Sequence, residues 1–286
     1  MSVQTSILSR EALGLKGKSL ETKDHTLYYE VATNSDKLDR TFILCHGAVA
    51  SGRYMNVIAE QLLKRSRNCK VIVIDLPFHG HSIASVDVKG LNINDYKKYT
   101  KEFVDGLQKS GELVGTVHWV GWSLGGSLGL LLNIQDGLFD ELTLVNSAPY
   151  WESVDGLISS GMFDDLKVVP EVSRGIMLAD LDGYDDDFVQ QVIDTFDEVI
   201  APPETAKNDF EAIQTKHFDV REELYKVTAK TLIFSGTLDV VADVTLQHLM
   251  HQKIQGSNLV LLEDTHAAVL KKEYAHDVVS AILATK

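Results

Sequence analysis

Short runs of apolar, often β-branched residues alternate along most of the chain with stretches in which apolar residues recur every three or four positions. The later runs are apolar at nearly every position, which is typical of parallel strands covered on both faces. Strand, helix and strand in repetition indicate a doubly wound sheet with right-handed crossovers. The pattern predicts strands at residues 27–33, 42–46, 71–75, 117–122, 142–147, 231–236 and 258–263. It predicts helices at residues 54–64, 94–109, 124–133, 244–254 and 268–283.

This alternation breaks after residue 147, where more than 80 residues contain no convincing strand. From Trp151 to Lys226 there are 19 acidic and 6 basic residues, so this stretch accounts for nearly all of the net charge of −14. Residues 185–200 predict a helix that begins with aspartates, where the helix dipole favours negative charge. We predict that residues 150–226, called the acidic segment below, form a helical cap over the strand ends. The remaining residues, 1–149 and 227–286, are predicted to form the core.

Composition and charge exclude several classes of protein. The 286 residues are enough for one large α/β domain, and 44% hydrophobic residues with 24% charged residues is ordinary for a globular protein. The negative net charge argues against nucleic acid as a partner, because phosphates would be repelled. There is no apolar run of about 18 residues and no signal-peptide pattern, so we expect a cytoplasmic protein without membrane insertion. Cys45 and Cys69 are expected to be buried, unpaired thiols.

The sequence GWSLG at residues 121–125 places one serine between glycines at a predicted strand-to-helix junction. A serine hydroxyl is a poor nucleophile unless a base removes its proton, and it must project from the backbone to meet a substrate. A sharp, strained turn achieves this projection, and the close packing around such a turn requires glycine at its flanks. The G-x-S-x-G pattern between a strand and a helix therefore predicts that Ser123 is a nucleophile.

The chain resembles the α/β-hydrolase fold family at this serine turn and at four further motifs, each after a predicted strand. CHGAVASG at residues 45–52 is similar to the family's His-Gly oxyanion loop. DLPFHGHS at residues 75–82 is similar to its D-x-P-G-H-G-x-S signature, with Phe78 where glycine is usual. SGTLDVVAD at residues 235–243 resembles the acid-bearing turn, and DTHAAVLKKE at residues 264–273 resembles the histidine loop. The resemblance implies a mostly parallel, doubly wound sheet of about eight strands, with a helical cap inserted after the sixth strand.

The family's chain order of serine, acid and histidine assigns the catalytic roles. Ser123 is the expected nucleophile, and His266 is the expected general base because it alone among the late histidines directly follows a predicted strand. Asp239 is expected to orient His266 and to stabilise its cation. Asp243 is the alternative acid, although its position at the start of a predicted helix gives it a sufficient capping role.

Two backbone N–H groups are expected to stabilise the oxyanion that forms on the substrate. Leu124 directly follows the nucleophile at a helix N-terminus. The resemblance supplies Ala48 in the His-Gly loop, with Val49 as the alternative if the loop is shifted by one residue. Trp122, Val49 and Trp151 are expected to line the substrate pocket.

These assignments predict a serine hydrolase that cleaves a small or medium carboxylic ester through an acyl-enzyme, with no metal and no cofactor. Residues 180–187, DLDGYDDD, only mimic a calcium loop, because the glycine is misplaced and the later glutamate is missing. Fold does not fix chemistry, so two other enzymes stay open: a carbon–carbon bond hydrolase and a prolyl aminopeptidase-like enzyme. The second would use a carboxylate of the acidic segment to bind the substrate amine. A ligand receptor on a hydrolase scaffold is the alternative from a different class.

Overall fold

A nine-stranded, mostly parallel sheet forms the centre of the computed structural model, which describes residues 13–179, 181 and 184–285. The strands lie in the order β1-β2-β4-β3-β6-β7-β8-β9, with β5 paired to β2. β1 and β2 run antiparallel to their neighbours, and every pair from β4 to β9 is parallel. The strand bounds are β1 Lys16–Glu21, β2 His25–Thr33, β3 Arg40–Cys45, β4 Cys69–Ile74, β5 Ile83–Ala84, β6 Thr116–Trp122, β7 Glu141–Val145, β8 Lys230–Gly236 and β9 Asn258–Leu262.

The central strands are covered on both faces, since β4 is buried at each of its six positions. Helices connect the parallel strands; α1 packs against α9, and α2 packs against α3. The helix bounds are α1 Asn56–Arg65, α2 Ile93–Lys109, α3 Leu124–Asp136, α4 Glu152–Ser159, α5 Val169–Ala179, α6 Asp186–Val199, α7 Pro203–Ala212, α8 Val244–Lys253 and α9 Lys272–Ala284. The predicted fold class is therefore confirmed, with every predicted strand present.

Two strands were not predicted from the sequence. β1, with the sequence KGKSLE, lies at the sheet edge with most of its side chains exposed, so it lacks the apolar alternation that identifies a strand. β5 has only two residues. Among the longer strands β7 is the sixth, and the acidic segment follows it.

The acidic segment contains four α-helices, α4 to α7, in its described part. Asp185 caps α6 by accepting a hydrogen bond from the Phe188 N–H at 2.9 Å, and Pro203 begins α7. Its division from the rest of the chain as a cap stays a prediction.

No helix in the described part of the chain is both long and apolar enough to cross a membrane. Within the same residues no group of three His, Cys, Asp or Glu side chains is placed to hold a metal ion. Residues 180, 182 and 183 of the calcium-like sequence lie outside the described residues. Cys45 and Cys69 are buried and unpaired.

Candidate active site

Ser123 lies at the sharp turn between β6 and α3, in a strained backbone conformation with φ 53° and ψ −120°. The flanking glycines leave no room for a side chain. A Cβ on Gly121 would lie 2.3 Å from the Gly125 carbonyl oxygen, and a Cβ on Gly125 would lie 2.4 Å from the Cys45 carbonyl oxygen. The turn thus needs glycine for close approach of three backbone segments.

His266 and Asp239 meet beyond the carboxyl ends of β8 and β9. The Nδ1 of His266 lies 2.8 Å from Oδ2 of Asp239. The other carboxylate oxygen accepts hydrogen bonds from the N–H groups of Val241, at 2.8 Å, and Ala242, at 2.7 Å. Because a carboxylate only accepts, Nδ1 carries the proton and Nε2 is left as the basic nitrogen.

The alternative acid is occupied elsewhere. Asp243 caps α8, where its Oδ1 accepts hydrogen bonds from the N–H of Thr245, at 2.8 Å, and from the Thr245 hydroxyl, at 2.6 Å. These hydrogen bonds lower the pKa of Asp243 below its ordinary value. The structure places Asp239, not Asp243, against His266.

The two candidate oxyanion donors differ from Val49 in their surroundings. Leu124 is the first residue of α3, and N–H groups in a first helical turn have no acceptor within the helix. Ala48 lines the cavity that also contains Ser123. The Val49 N–H, by contrast, donates to Oδ2 of Asp209 at 2.7 Å. That bond directs the Val49 N–H to a side chain rather than to an oxyanion, which favours Ala48 over Val49.

A mainly apolar cavity lies at Ser123 and His266, and the three predicted pocket residues line it. The indole of Trp122 donates to the His266 carbonyl at 3.2 Å, and the indole of Trp151 donates to Oγ of Ser127 at 3.0 Å. Among the lining residues that the structure describes, His266 alone has an acidic or basic side chain. The lining residues are Ala48, Val49, Trp122, Ser123, Trp151, Val154, Ser173, Ile176, Phe210, Ile213, Val241, His266 and Ala267. Six of them come from the acidic segment.

Two buried histidines support the loops beside the serine. His46 accepts from the Leu76 N–H at Nε2, at 3.0 Å, so it is neutral, and burial lowers its pKa to about 3. His79 lies 2.8 Å from the Pro77 carbonyl through Nδ1 and 2.8 Å from Oδ2 of Asp209 through Nε2. Burial alone would lower the pKa of His79, but the Asp209 carboxylate outweighs this and holds the pKa above its ordinary value.

Three residues around this site were not predicted from the sequence. Asn146 follows β7 directly and binds the His266 loop; its place at a strand end was the available signal. Asp209 was one of many acidic residues, and nothing in its neighbourhood along the chain marked it. Ser173 lies in α5 of the acidic segment, and no motif in its neighbouring sequence indicates a role at the site.

Residues 42–281 match the family described as the alpha/beta hydrolase family. A proline iminopeptidase from Saccharolobus solfataricus is 42% identical over 67 residues, which are 23% of this chain and 21% of that protein. The matched region thus spans about a fifth of that relative's length.

Two solved structures are similar over nearly the whole chain. A hydrolase from Pseudomonas aeruginosa PA01 has a TM-score of 0.76 at 19% identity, covering 94% of this chain and 98% of the other. An esterase from Exiguobacterium antarcticum has a TM-score of 0.74 at 20% identity, covering 91% of this chain and 97% of the other. At such identities the likeness shows the fold alone.

Proposed function

The chain belongs to the alpha/beta hydrolase family, and we propose that it is a serine hydrolase that cleaves a carboxylic ester through an acyl-enzyme. One observation supports this proposal above others: Ser123 and His266 line one apolar cavity, and Asp239 binds the far nitrogen of His266. This arrangement supplies a nucleophile, a base and a group that orients the base.

In the proposed reaction Ser123 Oγ attacks the ester carbonyl while His266 Nε2 takes its proton. The buried Asp239 carboxylate keeps the imidazole in the required tautomer and stabilises its cation. The N–H groups of Leu124 and Ala48 donate to the oxyanion of the tetrahedral intermediate. His266 then protonates the leaving alcohol, and a water activated by the same histidine releases the acid.

The cavity supports an apolar substrate. Its wall is formed mainly by tryptophan, phenylalanine and aliphatic side chains, and the acidic segment supplies six of the thirteen lining residues. We propose that this segment acts as the cap that encloses the substrate, over a core formed by residues 1–149 and 227–286. An acyl chain or alcohol of small to medium length fits such a wall better than a charged group.

A prolyl aminopeptidase-like activity is the second candidate, because the partial relative is named a proline iminopeptidase. A substrate with a free amine needs a carboxylate near the reacting carbon. Among the lining residues that the structure describes there is no carboxylate, and the nearby Asp209 already accepts from Val49, His79 and Tyr96. These contacts favour the ester over the amine substrate. Nothing in the cavity specifically favours a carbon–carbon bond substrate.

The experiment is hydrolysis of p-nitrophenyl esters from acetate to decanoate, with proline p-nitroanilide assayed in parallel. Ser123→Ala and Asp239→Asn are compared with the wild type, and Asp243→Asn is the matched control, because asparagine also caps helices. We expect ester turnover with a chain-length optimum, abolished by Ser123→Ala, lowered by Asp239→Asn and retained by Asp243→Asn. Turnover of the anilide alone would replace the proposal with the aminopeptidase, and turnover of neither would favour the receptor.

A further inference from the structure

Val49, next to the proposed oxyanion donor Ala48, has an unusual backbone conformation. Its φ is 57°, in the left-handed region, which is a marked outlier for a β-branched residue. Such a conformation persists only where the surroundings fix it. What fixes Val49 therefore bears on the shape of the oxyanion loop.

Both backbone groups of Val49 are bound by the acidic segment. Its N–H donates to Oδ2 of Asp209, in α7, at 2.7 Å. Its carbonyl accepts from the N–H of Ala201, between α6 and α7, at 3.0 Å. The peptides on either side of Val49 are thus fixed by residues more than 150 positions later in the chain.

Asp209 is itself fully buried and firmly held. Besides the Val49 N–H, it accepts from His79 Nε2 at 2.8 Å and from the Tyr96 hydroxyl at 2.7 Å. The other nitrogen of His79 faces the Pro77 carbonyl, which only accepts, so the ring carries both protons and pairs with Asp209 as a cation. This carboxylate joins α7 to α2 and to two loops of the core.

We propose that Asp209 is a positioning residue for catalysis: by holding Val49 in its left-handed conformation, it directs the Ala48 N–H toward the oxyanion. The Val49 N–H belongs to the peptide that follows Ala48, so fixing it restrains the Ala48 backbone. The oxyanion hole would then be complete only while α7 is docked on the core. This inference rests on the proposed function and adds to it how the acidic segment controls the site.

The competing interpretation is that Asp209 only attaches α7 to the core. Asn208 is the matched control, because it is also buried in α7 and binds the core through Gly90 and the Leu91 carbonyl, at 3.0 and 3.1 Å. No contact to Val49 is among its hydrogen bonds in the described part of the chain. A purely structural role predicts that Asn208→Ala and Asp209→Ala act alike.

The test compares Asp209→Ala, Asp209→Asn and Asn208→Ala with the wild type. Two readouts are used at matched folded fraction, namely kcat and KM on the best p-nitrophenyl ester and the rate of Ser123 labelling by a fluorophosphonate. We expect Asp209→Ala to lower kcat and the labelling rate at least about tenfold with KM nearly unchanged, since losing one oxyanion donor costs about 100-fold or more. Asp209→Asn keeps an acceptor for Val49 and should restore much of the loss.

Asn208→Ala removes a hydrogen bond to the Tyr96 hydroxyl but leaves the Asp209–Val49 hydrogen bond in place, so it is expected to leave both rates within about twofold of the wild type. Equal losses in Asn208→Ala and Asp209→Ala would overturn the positioning role. Should Asp209→Ala not fold, Ala201→Pro removes the other N–H by which the acidic segment holds Val49, and it should also slow labelling. Labelling of a folded Ala201→Pro variant at the wild-type rate would refute control of the oxyanion loop through Val49. Labelling of Ser123 needs no ester substrate. If the wild type is labelled but hydrolyses no ester, the proposed ester activity is disproved, and the labelling rates of the variants still test the role of Asp209.

Discussion

The side-chain amide of Asn146 fixes the loop that contains His266. Its Nδ2 donates to the carbonyl oxygens of Thr265, at 3.0 Å, and His266, at 2.9 Å. Its Oδ1 accepts from the Gly236 N–H at 3.1 Å and from the Tyr274 hydroxyl at 2.6 Å. One buried amide therefore links the ends of β7 and β8, the His266 loop and α9.

Replacing Asn146 by aspartate should damage both stability and catalysis. The substitution turns a donor toward two carbonyl oxygens into an acceptor, and a buried mismatch of this kind costs about 3 kcal/mol. The loop with His266 should shift, and a displacement of about 1 Å at a reacting group can cost about 100-fold in rate. We expect a large fall in kcat in the folded enzyme, measured together with urea denaturation.

Asn133 provides the control for this change. It is also buried, donates to the Phe139 carbonyl at 3.2 Å, and accepts from the N–H groups of Thr228 and Ala229 at 3.0 and 3.3 Å. It lies near the far end of α3. Asn133→Asp should destabilise the fold comparably and leave kcat of the folded fraction unchanged; a matching loss of kcat would contradict the positioning role of Asn146.

Gly125→Ala should abolish activity through a steric clash rather than through chemistry. Its added methyl group would lie 2.4 Å from the Cys45 carbonyl oxygen and 2.6 Å from the His46 carbonyl oxygen. Both are backbone atoms, which can move away only if the surrounding loop is distorted. Gly156→Ala, in α4, meets no atom within 4 Å and should stabilise the helix by up to about 1 kcal/mol. Thermal unfolding and ester turnover of both variants check this. Full activity in Gly125→Ala would show that the turn tolerates a side chain.

The fold and the three proposed catalytic residues could be predicted because their signals are local. An apolar run identifies β6, the glycines identify the turn at Ser123, and strand ends identify Asp239 and His266. Asp209 could not be found this way, because its partner Val49 lies 160 positions away. Its importance depends on packing, which no short stretch of sequence encodes.

Phe78 shows a second limit of local signals. It stands where the resemblance led us to expect glycine, and its φ of 70° is the left-handed conformation that glycine adopts most readily. Its ring packs near His25, with ring centroids 5.2 Å apart. Phe78 therefore differs from the motif in its side chain but has the backbone conformation expected of the glycine.

His46 should make the protein less stable in acid. Its folded pKa of about 3 lies below the ordinary value of 6.5, so the unfolded chain binds the proton more readily. Its contribution to stability is complete above pH 6.5 and is lost as pH falls from there toward 3, with a slope of up to about 1.4 kcal/mol per pH unit. His79 has the opposite sign: its raised pKa gives stability that is present below 6.5 and lost as pH rises through the folded value.

Urea denaturation from pH 7 to pH 4 tests this with His46→Gln, which can still accept from the Leu76 N–H. We expect the variant to lose part of the acid slope, up to about 1.4 kcal/mol per pH unit. His276→Gln, at an exposed position of α9, is the control and should retain the full slope. An unchanged slope in His46→Gln would mean that His46 does not titrate differently in the folded and unfolded chains.

The Ser173 hydroxyl should lower the stability of the folded protein, and replacing Ser173 by alanine should raise it. Ser173 is 2% exposed in α5, and its hydroxyl has no hydrogen-bond partner among the residues that the structure describes. A buried, unsatisfied hydroxyl costs about 1–3 kcal/mol, so Ser173→Ala should raise the free energy of unfolding by about 1 kcal/mol. The same variant should lower KM for esters with purely apolar acyl chains.

Ser127→Ala is the matched comparison, because that buried hydroxyl donates to the Ala148 carbonyl at 2.8 Å and accepts from the Trp151 indole at 3.0 Å. It should destabilise the protein, since a satisfied pair is broken and the indole N–H is left unpaired. Urea denaturation and KM across the ester series measure both variants. If Ser173→Ala is less stable than the wild type, the Ser173 hydroxyl forms a hydrogen bond to the backbone in solution. If Ser173→Ala has a higher KM, the hydroxyl forms a hydrogen bond to the substrate.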